Sequence, residues 1–229
     1  MKNVFGCDSS ISASTRLSNG YTMFDWVMRQ RCFPEVWART LLGENPITSE
    51  EVRFLKDNDC RIGLVIRDLS EAEVSSNDGT KTALRAVEAL KELDVPQETG
   101  IAVFAEIAPD WSVNHNWMLS YAVALSAAGY IPGFIGNTDS SDNFNFDRQT
   151  GHYLEAARHI NLPETVFCAT APVINTEPDT WVPYAPSDMS RDDIHLWKCG
   201  EVKYRELSVG EVYARDDSVL DFMWKGEGK

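Results

Sequence analysis

Four carboxylates stand where apolar runs end. The stretch 99–111 delivers one of them, Glu106, near the carboxyl end of a run bounded by turn residues. Asp8 closes the run 3–8, Asp68 closes 61–68 and Asp216 closes 209–216. Carboxylates gathered in one cleft repel one another, so one can hold a proton at neutral pH while another stays charged. General acid and nucleophile, or acid and base, need that division. Each group could instead cap a strand or the next helix. Arg39 lies in the later half of a further run, 35–42, and is a candidate ligand contact. Six aromatics, Trp37, Trp111, Trp117, Trp181, Tyr184 and Trp197, cluster toward the same ends, and flat rings suit the apolar faces of sugars. Trp37 and Trp197 lie within strands and could serve a core, whereas Trp111 and Trp181 fall in loops.

The elements that must position these groups alternate. Short apolar runs read as strands buried on both faces, which belong to parallel sheets. Strands are expected at 3–8, 35–42, 61–68, within 99–111 around Glu106, at 129–136 and 165–171, with two more at 193–198 and 209–216. Helices are expected at 21–32, 48–59, 78–93, 113–128 and 147–160 from apolar residues at helical spacing. Thr48 and Glu51 read as a capping box, and Leu84, Val87 and Leu90 as one apolar helix face. Residues 172–190 carry four prolines and read as a long loop. The pattern predicts one α/β domain over 1–229, a (β/α)8 TIM-type barrel slightly degenerate in its missing or short helices after strands 6 and 7. In such a barrel, Asp8, Asp68, Glu106 and Asp216 would face one mouth. A doubly wound sheet is the alternative, but Asp8-Ser9-Ser10-Ile11 is no glycine-rich phosphate loop.

Composition narrows the partners. The formal net charge of -14 repels nucleic-acid backbones and anionic surfaces, so neither nucleic acid nor membrane insertion is expected. Five cysteines, widely spaced and odd in number, contain no Cys-x-x-Cys, and the four histidines form no ligand motif. No metal or organic cofactor is expected. Met1-Lys2 leads straight into the first strand with no apolar signal core, so the chain is expected in the cytoplasm as made, or in the cell wall by another route.

Phe5-Gly6-Cys7-Asp8, the passage Pro46-Ile47-Thr48-Ser49-Glu50-Glu51-Val52, the strand 62–66, Glu106, Ala127-Ala128-Gly129-Tyr130-Ile131-Pro132-Gly133 and His195-Leu196-Trp197 resemble the glycoside-hydrolase-like domain-of-unknown-function family 1906. That family is similar in fold to the family 25 glycoside hydrolases, lysozyme-type muramidases. The resemblance implies an acid ending strand 1, an Asp-x-Glu pair ending strand 4 and an Asp near the last strand. Asp8, Glu106 and Asp216 match in place, but Phe104 stands where the pair has Asp. Positions 104 and 106 share one side of a strand, so an apolar ring lies beside the expected acid. Phe104 either tunes Glu106 by drying its surroundings or marks a barrel that binds glycan without cutting it.

The expectation is therefore a monomeric glycosidase acting on a cell-wall, peptidoglycan-like glycan, with Glu106 as general acid/base and Asp8 or Asp216 as the second carboxylate. Arg39, Asp68, Trp111, Trp181, Tyr184 and Trp197 are the expected substrate contacts. The alternative is a non-catalytic glycan-binding barrel.

Overall fold

A computed structural model describes residues 3–141, 146–174 and 176–227. The apolar runs form β1 (Val4–Ser9), β2 (Val36–Leu42), β3 (Arg61–Ile66), β4 (Ala102–Glu106), β5 (Ile131–Gly136), β6 (Val166–Ala169), β7 (Leu196–Tyr204) and β8 (Leu207–Ala214). They pair in chain order and close into a barrel. Around it lie α1 (Met23–Gln30), α2 (Ser49–Asp57), the single turn α3 (Glu71–Val74), α4 (Thr80–Glu92), α5 (His115–Ala127) and α6 (Phe146–His159). The fold is the expected α/β barrel, and β6 and β7 are followed by no α-helix among the described residues.

Strand alternation sorts the side chains into two layers. Val4, Val36, Val65, Phe104, Ile135, Cys168, Leu196 and Val212 fill the barrel. Their neighbours Cys7, Trp37, Leu64, Val103, Phe134, Phe167, Trp197 and Tyr213 face the helices. Phe104 is the bulkiest inward side chain, and Gly133 on the paired strand makes room for it. A Cβ built on Gly133 would come within 2.6 Å of the ring.

Local signals explain most helix starts. Thr22 caps α1 in a capping box with Asp25. Thr48 caps α2 by accepting from the Glu51 N–H, but the Glu51 carboxylate does not return the bond. It turns inward to the Arg39 Nε at 2.7 Å and the Ala13 N–H at 2.8 Å. The face of α4 against the barrel is Ala83, Ala86, Val87 and Leu90, while Leu84 is exposed.

One strand departs from the expected parallel order. β7 continues beyond Lys198 to Tyr204, turns through Arg205 and Glu206, and returns as β8 antiparallel to β7 and β1. A two-residue turn leaves no chain for a parallel crossover, which needs a dozen residues or more. The carboxyl end of β8 therefore lies at the base of the barrel, beside Val4 at the start of β1. The chain beyond it plugs that base: Val219, Leu220 and Met223 join the interior cluster, and Trp224 bridges to Ile62 of β3.

Candidate active site

At the opposite, carboxyl-terminal mouth, the inward positions become charged. Asp8 sits on β1, in register with the inward Val4 two steps below, and Glu106 stands above Phe104 at the end of β4. Arg67, one step past β3, follows Val65 inward, and Lys198 follows Leu196 on β7. The four form a ring of alternating charge. Arg67 reaches Asp8 through Nη2 and Glu106 through Nη1. Lys198 Nζ lies 2.5 Å from Asp8 Oδ2 and 3.1 Å from Glu106 Oε1. Each carboxylate thus holds both cations.

Burial distinguishes the two acids. The Asp8 side chain is 3% exposed and that of Glu106 23%. Burial alone would push the Asp8 carboxyl up, but Lys198 and Arg67 outweigh it and hold Asp8 below the usual carboxylate range. The same contacts raise Lys198 and Arg67 despite their own desolvation. Asp8 is therefore the member held toward its charged form, and Glu106 the member more open to solvent.

The ring floors a cleft of about 690 Å³. One wall is the loop after β4, with Ile107, Pro109 and Trp111, and Ser9, Ser10 and Thr170 line the rim. The other wall is the β7–β8 hairpin, through Gly200, Glu201, Ser208 and Gly210. That hairpin is braced from outside by Tyr204, whose hydroxyl lies 2.6 Å from the Ser18 Oγ and whose ring meets Trp26 edge-on at 5.0 Å.

The other expected contacts lie elsewhere. Asp216 is at the base, across the barrel from Glu106, because β8 runs the other way. It caps the 3-10 turn Asp217–Phe222, and its carboxyl is held down to about 2 by hydrogen bonding from Ser218 and then from Arg215. Arg39 faces the helix layer, 1% exposed, and is consumed by Glu51 and the Ser9 and Asn45 carbonyls. Asp68 points outward to Arg85 Nη1 at 2.8 Å. Trp197 is buried in the outer layer, donating to the Pro172 carbonyl at 2.9 Å, with Trp181 packed edge-on at 6.0 Å. Tyr184 is exposed beside a separate depression with Thr138 and Arg191. Of the expected residues, Asp8, Glu106 and Trp111 share the cleft.

Arg67 and Lys198 were the unexpected members. Position parity could have found both, since Arg67 rather than Asp68 shares a face with Val65. Among the described residues, no cluster of three or more His, Cys, Asp or Glu side chains could hold a metal ion, and no helix is long and apolar enough to cross a membrane.

No family model and no curated protein matches the chain. Solved structures do match it. An uncharacterized B. stearothermophilus protein superposes with a TM-score of 0.78 at 20% identity, over 96% of this chain and 100% of that one. The Mycobacterium tuberculosis Tat-secreted protein Rv2525c, solved with L-tartrate, gives 0.60 at 13% identity over 94% and 97%. The catalytic domain of endolysin ply40 from Listeria monocytogenes bacteriophage P40 gives 0.57 at 13% identity over 99% and 98%. The chain shares their barrel. At these identities the likeness is one of fold.

Proposed function

We propose that the chain is a cell-wall glycan hydrolase of lysozyme type, with Glu106 as general acid/base and Asp8 as the carboxylate that receives the sugar. The observation that carries this reading is the pairing of one buried, charge-locked carboxylate with one solvent-reaching carboxylate across a sugar-sized cleft. An endolysin catalytic domain on the same barrel supports it.

Asp8 Oδ2 and Glu106 Oε1 both contact Lys198 Nζ, at 2.5 and 3.1 Å, so they can be no farther apart than those two lengths laid end to end. This bound applies to one oxygen of each acid, and their sharing of one ammonium supports the close retaining arrangement over the roughly 6.5–9.5 Å spacing of inverting enzymes. In the first step Glu106 gives its proton to the leaving oxygen as the glycosidic bond breaks, and an Asp8 oxygen bonds to the anomeric carbon. In the second, Glu106 takes a proton from water, whose oxygen attacks that carbon and frees Asp8. Trp111 at the rim offers a face for an adjoining sugar.

The test is release of new reducing ends from purified peptidoglycan by the wild type, Glu106→Gln and Asp8→Asn. The expected outcome is release by the wild type and a loss of at least a hundredfold in either variant. A second reading, a barrel that binds glycan without cutting it, is favoured by Phe104 beneath Glu106 and by the two cations already on the acid. Retention of the wild type on peptidoglycan with no reducing ends released would select it.

A further inference from the structure

Asp8 and Glu106 are close enough to repel one another strongly, yet both carry their full complement of cations. Lys198 approaches from β7 and Arg67 from β3, on opposite sides of the pair. The lysine stem crosses β8 where Gly210 leaves space, since a Cβ there would lie 3.1 Å from the Lys198 Cε and 3.2 Å from the Asp8 carbonyl oxygen. β2 and β5 face this level of the barrel with uncharged side chains such as Ala38 and Ile135, and β8 adds Gly210 and Val212. The remaining titratable neighbours are the buried thiols of Cys7 on β1 and Cys168 on β6, both kept neutral by desolvation, and Glu201 on the hairpin, which is engaged by Lys203 and Ser208.

We propose that Lys198 is a positioning residue of this site: its ammonium, seated between the two carboxylates, keeps Asp8 charged and leaves Glu106 as the member that exchanges its proton. This deepens the hydrolase reading and rests on it for its kinetic consequence, though not for its electrostatic one. Arg67 alone cannot do the same work. Without Lys198 two carboxylates share a single cation, and the first proton taken up settles their repulsion. Asp8, buried where water cannot screen it, then becomes the cheaper place to put that proton. A protonated Asp8 has no lone pair of the right strength to offer the anomeric carbon, so activity fails from the acid side.

The decisive experiment follows the Asp8 carboxyl carbon by NMR against pH in the full chain, for the wild type, Lys198→Met, Lys198→Gln and Lys198→Arg. Circular dichroism confirms that each is folded, and kcat/KM on peptidoglycan is recorded over the same pH range. In both neutral variants the Asp8 midpoint is expected to rise by about one pH unit or more, and the acid limb of kcat/KM to rise with it. Lys198→Arg restores both. An Asp8 midpoint unmoved in folded Lys198→Met or Lys198→Gln overturns the proposal, as does an equal loss of activity at every pH with the acid limb in place. If even the wild type releases no reducing ends, the hydrolase reading falls, and the Asp8 titration by itself still decides the role of Lys198.

Discussion

The ionisation of Asp8 links the site to the stability of the barrel. Its carboxyl titrates below its ordinary value when folded, so it stabilises the fold above about pH 4 and that contribution is lost as pH falls through the lower, folded value. Denaturation midpoints of the wild type should therefore drop below about pH 4, and Asp8→Asn should flatten the drop. Arg39 and Glu51 make a different kind of pair, one buried in the helix layer behind the cleft. Arg39→Met leaves the Glu51 charge buried without its partner and should cost about 3–5 kcal/mol in urea unfolding, with kcat per folded molecule unchanged. Phe104 constrains its neighbour by size. Gly133→Ala forces a methyl group into the ring and should cost about 1–3 kcal/mol by the same measurement.

Among the elements, the wall hairpin is the most exposed to test. Tyr204 ties it to Ser18 and Trp26 on the barrel flank. Tyr204→Ala should loosen that wall, raising KM for glycan several-fold while leaving the thermal midpoint nearly unchanged; steady-state kinetics beside a melting curve would show both. The hairpin was also the element least legible in the sequence. Strands β1 to β6 could be read from apolar runs separated by helical spacing, because a strand buried on both faces has a composition of its own. Past Lys198 the pattern changes to Gly200-Glu201-Val202-Lys203, one wet face and one dry, which belongs to an antiparallel ribbon. Composition records that a residue is in a strand, not which way the strand runs, so Asp216 was expected at the mouth and lies at the base. Asp8 and Glu106 could be read because each is the lone charge on an inward register. Arg67 and Lys198 occupy the same inward registers on their own strands, but a lone cation at a strand end carries no sign of the acid it will meet. The fate of Arg39 was hidden for another reason: its partner Glu51 lies on α2, and nothing local announces that contact.

At the scale of the whole molecule, a formal net charge of -14 surrounds a cleft whose floor is balanced, two cations against two anions. On the proposed function, an anionic wall polymer would approach through that field. Its binding should strengthen as ionic strength rises from about 10 to 150 mM, the reverse of a protein that docks through a basic face; sedimentation with intact walls across a salt series would measure it.

The base of the barrel carries a further consequence. Residues 217–224 stopper it, and β8 joins β7 to β1, so closure waits for elements that follow the other six strands in sequence. Lys198, on β7, is synthesised only after β1 to β6, Asp8 among them. Until β7 and β8 are made, the β1 edge lacks its antiparallel partner and Asp8 and Glu106 share Arg67 without Lys198. A ribosome stalled before Leu207 should therefore present a chain that proteases cut freely.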